Sequence, residues 1–188
     1  MKYASIRGAA CAFALFVAAF IAVGAARADE IQTAIKGYNY TASIRGGAYF
    51  QLHSDLQNTF TNPIPFGGMT VTLEQEALVS RSSLAIDYEG KSQNGNKEQI
   101  IPVTFEHQWY QGAEGIVNPY FVLAIGGAWV TLNDVNTGVN QQRLAFDSSF
   151  GLGIDTPWQV FGEVRYNWIA PTLGEDFSGP SVLVGVRF

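Results

Sequence analysis

The sequence predicts an all-β protein, an eight-stranded antiparallel up-and-down β-barrel, and three observations lead to this fold class. Apolar residues recur with a period of two along most of the chain, as in strands with one apolar face. Clusters of Gly, Pro, Asn and Asp interrupt the alternation where turns are expected. The segments between these clusters number eight, which is enough to close a small barrel around its own side chains.

The first 28 residues have the pattern of a cleaved signal peptide. Lys2 and Arg7 form a short basic region, residues 8–26 carry no charge, and Ala26-Arg27-Ala28 supplies a small-x-small cleavage site. An N-terminal membrane helix is the alternative, because an uncharged run of this length could span a bilayer. We favour cleavage because the segment is rich in Ala, lies at the N-terminus and ends in the cleavage pattern.

The remaining chain is acidic and contains no cysteine. Removing Lys2, Arg7 and Arg27 leaves 8 of the 11 basic residues against 16 acidic ones, a formal charge of −8. This balance argues against nucleic acid as a partner. Cys11 leaves with the same segment, so neither a disulfide framework nor a thiolate nucleophile or metal site is expected.

Eight segments carry the strand pattern, and we expect them to build a barrel from residues 41–188. The first, "TASIRGGAYFQLH", places Ile44 and Leu52 on one face and Arg45 on the other. The second and third, "GMTVTLEQEA" and "RSSLAIDYEG", alternate more weakly, and the fourth, "EQIIPVTFEHQWY", alternates clearly. The expected bounds of all eight are residues 41–53, 67–77, 81–90, 98–110, 119–132, 143–155, 158–169 and 181–188.

The last four segments complete the pattern. The fifth, "PYFVLAIGGAWVTL", is apolar on both faces, so its alternation gives no inner side. The sixth, seventh and eighth ("RLAFDSSFGLGID", "WQVFGEVRYNWI" and "SVLVGVRF") each have one apolar face and one face of small or charged residues. A terminal run of β-branched residues predicts a strand that is paired to its end.

The connections alternate in length. Those after strands one, three, five and seven ("SDLQNTFTNPIPF", "KSQNGNK", "NDVNTGVNQQ" and "PTLGEDFSGP") are long and polar, whereas "LVS", "QGAEGIVN" and "TP" are shorter. A meander with both termini at one rim would have its short turns there and its longer loops at the other rim. Bacterial transmembrane barrels show this asymmetry.

Two features indicate that the apolar face points outward to lipid rather than inward to a ligand cavity. The opposite face combines small residues with charges of both signs, which could fill the narrow interior of an eight-stranded barrel as mutual ion pairs. The predicted interior charge network consists of Arg45, Glu74, Asp87, Glu106, Arg143, Asp147, Glu163, Arg165 and Arg187.

Aromatic residues at the strand ends are the second feature, because they share the apolar parity. Trp158 and Trp168 are ten residues apart, and Phe121 and Trp129 are eight apart. In a tilted strand these intervals rise roughly 20 to 25 Å, close to the height of the apolar band of a membrane barrel. The predicted interface aromatics are Trp109, Phe121, Trp129, Trp158, Trp168 and Phe188. Trp109, Trp158 and Phe188 would mark one rim, and Trp129, Trp168 and Tyr88 the other.

The stretch from about Ala42 to Phe188 resembles the small outer-membrane barrel domain of the OmpA, OmpX and OmpW group. "NPYFVLAIGGAWV" and "GEVRYNW" are similar to strands of that superfamily, and "SVLVGVRF" is similar to its C-terminal assembly signal. The resemblance implies a monomeric transmembrane barrel in the cell outer membrane. Its partners would be outer-membrane lipid and, through the C-terminal strand, the barrel-assembly machinery. Residues 29–40 would be a periplasmic leader.

Three functions from different classes follow from this resemblance. The leading hypothesis is a structural, adhesion or recognition role through the extracellular loops, with no enzymatic chemistry, catalytic residue, metal or cofactor. A narrow channel for small or apolar solutes is the first alternative, and a lipid-modifying enzyme is the second. For the enzyme, His53 precedes Ser54 and Asp55 only in a polar loop, and His107 is expected at the interface near Trp109. A soluble periplasmic binding barrel is a further alternative.

Overall fold

The computed structural model describes residues 38–75, 80–111, 117–135 and 138–188, which form a closed antiparallel β-barrel. Each strand lies beside its neighbours in chain order, and the last strand closes the barrel against the first. The predicted fold class is therefore confirmed. The strands are β1 (Tyr38–Tyr49), β2 (Ile64–Gln75), β3 (Ser80–Gln93), β4 (Asn96–Tyr110), β5 (Asn118–Asp134), β6 (Val139–Asp155), β7 (Val160–Ile169) and β8 (Gly179–Arg187).

The N-terminal boundary differs slightly from the prediction. The predicted signal peptide (1–28) and residues 29–37 of the predicted leader lie outside the described residues. β1 begins at Tyr38, so residues 38–40 of the expected leader belong to this strand. Among the described residues, no helix is both long enough and apolar enough to cross a bilayer.

Alternation of the side chains divides the barrel wall into two faces. In β8, Leu183 and Arg187 are buried while Val182, Val184 and Val186 are exposed. β1 continues this division, because Arg45 lies opposite Gly185 in the register. Because successive side chains of a strand point to opposite sides, the register carries one inward and one outward set around the barrel.

Two of the predicted long loops are strand instead. β3 and β4 stay paired to Gln93 opposite Asn96, and only Asn94 and Gly95 turn the chain, with φ of 52° and 84°. Asn-Gly is the preferred pair for such a two-residue hairpin turn, because both positions need positive φ. β5 and β6 likewise stay paired to Asp134 opposite Val139. A polar hairpin that extends beyond the apolar band remains a strand although its composition is typical of a loop.

The connections after β1 and after β7 are true loops. The connection after β1 contains a helix that was not predicted from the sequence. Helix α1 (Ser54–Thr59) lies between β1 and β2. Leu56 and Phe60, four residues apart, are both buried and face the barrel. The six-residue helix is too short to show a convincing period in the sequence.

An apolar cluster fills the barrel end that these loops cover, whereas the prediction placed only small and charged residues inside. Ala128, Val130 and Leu132 supply the inward face of β5, which explains why this strand is apolar on both sides. Loop residues Leu56, Phe60 and Phe177 pack above them. The buried cluster consists of Tyr49, Leu56, Phe60, Ile64, Ile100, Ala128, Val130, Leu132, Ala145, Ile169 and Phe177.

Candidate functional site

A buried ionic cluster crosses the middle of the barrel and centres on Glu106 of β4. Arg45 of β1 donates from Nη1 to Glu106 Oε2 at 3.0 Å and from Nη2 to Oε1 at 2.8 Å. Arg165 of β7 donates to the same two oxygens at 2.6 and 2.9 Å. One carboxylate thus holds two guanidinium groups in forked geometry across the interior.

Each arginine also has a second carboxylate. Arg45 Nε donates to Asp87 Oδ1 at 2.8 Å, and Arg165 donates to Glu163 on its own strand. The Tyr120 hydroxyl donates to Glu163 at 2.6 Å. Buried charges are tolerated only when they are paired and hydrogen-bonded, and this arrangement meets that condition for both guanidinium groups.

A second ionic group lies nearer the rim where β1 begins and β8 ends. Asp155 pairs with Arg187, and Arg81 Nη1 donates to Asp155 Oδ2 at 2.7 Å. The Tyr110 hydroxyl lies 3.2 Å from the same oxygen, and the Arg187 guanidinium lies 4.4 Å above the ring of Phe161. These contacts join β3, β4, β6, β7 and β8 and close this end of the interior.

Three further carboxylates lie beside the apolar cluster, since Glu89 pairs with Ile100 in the register, Glu98 with Leu132 and Asp147 with Ile169. Glu98 accepts a hydrogen bond from the Gln51 side chain, but its Oε2 has no partner among the described residues. Glu89 Oε2 and Asp147 Oδ1 also have none there. Glu89 and Asp147 line one small cavity of about 20 Å³, large enough for a single water molecule.

Seven of the nine predicted interior charges are buried inside the barrel: Arg45, Asp87, Glu106, Asp147, Glu163, Arg165 and Arg187. Arg143 differs from the prediction and is exposed. β6 pairs with β7 only from Asp147 onward, and residues 140–144, which extend beyond that pairing, are exposed. Glu74 belongs to β2, but its side chain lies outside the described part of the structure.

The sequence analysis left several interior groups unassigned. Glu89 and Asp155 share the strand parity of Asp87 and Asp147, and this parity could have identified them. Glu98 shares the parity of Glu106 in the predicted fourth strand, so the same rule could have identified it. The tyrosines that serve the ionic groups, Tyr110 and Tyr120, give no signal, because a barrel tyrosine suits either face.

The outward face is apolar around the whole barrel. Exposed side chains of the central band include Leu84 at 61%, Leu152 at 68% and Val184 at 63%. The predicted interface aromatics are all exposed on this side: Trp109, Phe121, Trp129, Trp158, Trp168 and Phe188. Trp109 contacts Phe121 with ring centroids 5.6 Å apart, and Trp168 contacts Phe146 at 5.8 Å.

Solved structures with this arrangement were identified by comparison of the folds. Neisserial surface protein A (NspA) aligns with a TM-score of 0.59 and 12% identity, over 81% of this chain and 98% of that one. The N-terminal β-barrel domain of Pseudomonas aeruginosa OprF aligns with a TM-score of 0.51 and 15% identity, over 81% and 100%. This chain has the fold of the small eight-stranded outer-membrane barrels.

The predicted resemblance is therefore confirmed for the outer-membrane barrel fold. At these identities the likeness extends to the fold alone. The sequence matches no protein-family model and no curated protein sequence.

The histidines of this barrel lie apart from its interior groups. His53 Nδ1 lies 3.2 Å from Glu175 Oε2, which joins the loop after β1 to the loop after β7. His107 lies on the outward face, 2.9 Å from the Ser82 hydroxyl and with its ring 4.3 Å from that of Trp109. Within the described ranges, no three His, Cys, Asp or Glu side chains are placed to hold a metal ion.

Proposed function

We propose that this chain is an integral outer-membrane barrel that neither conducts solutes nor catalyses a reaction, and that acts in structure, adhesion or recognition through its extracellular hairpins and loops. The observation that carries the proposal is the inverted distribution of side chains. Charges are paired inside the barrel, while large apolar side chains cover its outside.

The apolar outer face supports insertion into a membrane. Monomeric soluble proteins rarely expose contiguous apolar patches larger than a few hundred Å². Here the outward residues of neighbouring strands, such as Phe105, Ile125 and Phe150, are each about half exposed. A bilayer would cover this surface, whereas a soluble binding barrel would need the same residues inside to line its ligand cavity.

The interior of the barrel is filled, which favours a structural or recognition role over a channel that conducts solutes. Arg45, Glu106 and Arg165 meet across the barrel, and the apolar cluster lies between them and the loops. The cavity beside the ionic cluster has room for about one water molecule. A channel would require these ion pairs and the apolar cluster to separate together.

The extended β5–β6 hairpin is the proposed recognition surface. Its side chains at Asn140, Gln141, Gln142 and Arg143 are exposed. Amide and guanidinium groups offer several hydrogen-bond donors in a fixed strand geometry, which suits contact with a polar partner. The hairpin lies at the end of the barrel opposite the start of β1 and the end of β8, so an outer-membrane orientation places it outside the cell.

The topology can be tested with single cysteines, because the chain that follows the predicted cleavage site contains none. We expect Gln142→Cys to react with a membrane-impermeant maleimide in intact cells. Gln111→Cys, in the connection between β4 and β5, serves as the matched control and should react only after the outer membrane is permeabilised. Equal labelling of both variants in intact cells, or recovery of the protein without detergent, would contradict the proposal.

Conductance separates the structural role from the channel. The refolded protein should give no unit conductance in a planar bilayer, since the interior is closed by ion pairs. Discrete conductance steps that disappear in a heat-denatured control would favour the channel instead. The proposal also includes a monomeric state and recognition of β8 by the barrel-assembly machinery.

A further inference from the structure

Five buried side-chain oxygens lie in or beside the apolar cluster. They are Tyr49 Oη, Gln51 Oε1, Glu89 Oε2, Glu98 Oε2 and Asp147 Oδ1, and within the described part of the chain none has a hydrogen-bond partner. Their side chains are at least nine-tenths buried. A buried acceptor without a donor is costly, so this region needs positive charge or donors from a bound species.

The charges around these atoms do not balance. Arg45 and Arg165 are the cations of the central cluster, whereas the carboxylates in and beside it are Asp87, Glu89, Glu106, Asp147 and Glu163. Both arginines are already engaged by other carboxylates. Glu89 therefore interacts with the like charges of Asp87, Asp147 and Glu98, and with the opposite charge of Arg45.

Glu89 and Asp147 reach the same cavity from strands β3 and β6. The hydroxyl-bearing residues Thr104 and Ser149 also line it, as does Arg165, whose guanidinium group is bound to Glu106 and Glu163. The cavity volume of about 20 Å³ matches one particle of the size of water. Its surroundings thus combine two carboxylates that each have one oxygen without a partner, further oxygen donors and room for one small species.

We propose that this cavity binds a single monovalent metal cation of about the size of a water molecule, held between Glu89 and Asp147. Oxygen donors suit a hard cation. Mg²⁺ fits less well, because it demands near-ideal octahedral geometry and gives up its water ligands reluctantly. The proposed site goes beyond the structural role of the barrel, since it concerns which species neutralises the excess negative charge of the interior carboxylates.

The test uses potassium as the probe and the full refolded protein in detergent micelles. Equilibrium unfolding in urea is followed while KCl replaces choline chloride at constant ionic strength and at a pH of about 8, where carboxyl groups are ordinarily ionised. Because the cation binds the folded state only, the unfolding equilibrium constant should fall about tenfold for each tenfold rise in potassium above its dissociation constant. Choline is too large to enter the cavity.

Two variants and one control locate the effect. Glu89→Gln and Asp147→Asn should each weaken the potassium dependence, and the double variant should lose it. Glu163→Gln removes a buried carboxylate that does not line the cavity, so it should lower stability yet keep the wild-type potassium dependence. If the double variant does not refold, the single variants still test the site.

Three results would overturn the proposal. Equal stability in potassium and choline, with loss of stability as pH rises, would assign the neutralising charge to protons on the carboxyl groups. A response to Mg²⁺ or Ca²⁺ without one to potassium would assign a divalent site. An unchanged potassium dependence in the double variant would place the cation elsewhere. Insertion into the membrane and the labelling of Gln142→Cys would be unaffected by each of these results.

Discussion

Replacing Glu106 with Gln removes the carboxylate on which the interior ion pairs converge. In the wild type its two oxygens accept four hydrogen bonds of 2.6 to 3.0 Å from Arg45 and Arg165. Glu106→Gln keeps the size of the side chain but leaves two buried guanidinium groups facing a neutral amide, whose NH₂ group would point at one of them.

The expected loss in the free energy of unfolding depends on which carboxylate partners each arginine keeps in the variant. A hydrogen bond to a charged group contributes about 1.5 to 3 kcal/mol, so four independent bonds would suggest more than 6 kcal/mol. Arg45 keeps Asp87 and Arg165 keeps Glu163, and the amide oxygen still accepts a bond. We therefore expect a loss of about 3 to 5 kcal/mol in the free energy of unfolding, the range for a broken buried ion pair.

The assay is equilibrium unfolding of the refolded protein in urea, followed by tryptophan fluorescence. The expected loss corresponds to an increase of about a hundredfold to several thousandfold in the unfolding equilibrium constant, at about 1.4 kcal/mol per factor of ten. Glu175→Gln is the matched control, because it removes a partly exposed carboxylate beside His53 and should cost less than about 1 kcal/mol. A loss below about 1 kcal/mol for Glu106→Gln would refute the reasoning.

Three other substitutions test the strand packing, the lipid-facing surface and the interior. Gly126→Ala should destabilise the barrel by about 1 to 3 kcal/mol in a urea titration, since the added methyl group would collide with a backbone oxygen of β4. Gly162→Ala is the control, because the atom nearest to its added methyl group is 3.7 Å away and the substitution should be tolerated. Leu152→Arg on the outer face should cost about 2 to 4 kcal/mol in lipid vesicles, and Trp158→Arg near the rim no more than about 1 kcal/mol; equal costs would contradict the predicted orientation. Tyr120→Phe removes a 2.6 Å hydrogen bond to a buried carboxylate and should cost about 1 to 3 kcal/mol; a midpoint equal to the wild type would count against that bond.

The division of each strand into two faces could be predicted from the sequence because it is a local property. In β8, the alternation of Val182, Val184 and Val186 with Arg187 appears within one short segment and needs no distant partner. The same parity places Asp87 and Glu106 inside the barrel. Strand ends were less predictable, since polar hairpin residues beyond the apolar band have the composition of a loop, as in residues 91–97.

The interior contacts depend on residues that are distant in the chain. Arg45 and Glu106 are 61 positions apart, and their strands are not neighbours in the barrel. The exposure of Arg143 also depends on a distant part of the chain. Its own strand has the inward parity there, but β7 is too short to pair with β6 at that level.

The sequence by itself determined that this chain forms eight strands, that they alternate, and which set of side chains faces outward, because strand periodicity and turn residues act over a few positions. Only the tertiary structure decided which charges meet, where the apolar cluster lies and which carboxylates lack a partner. The physical reason is that closure and register bring the inward side chains of non-neighbouring strands together in one narrow interior, and no local pattern encodes that arrangement.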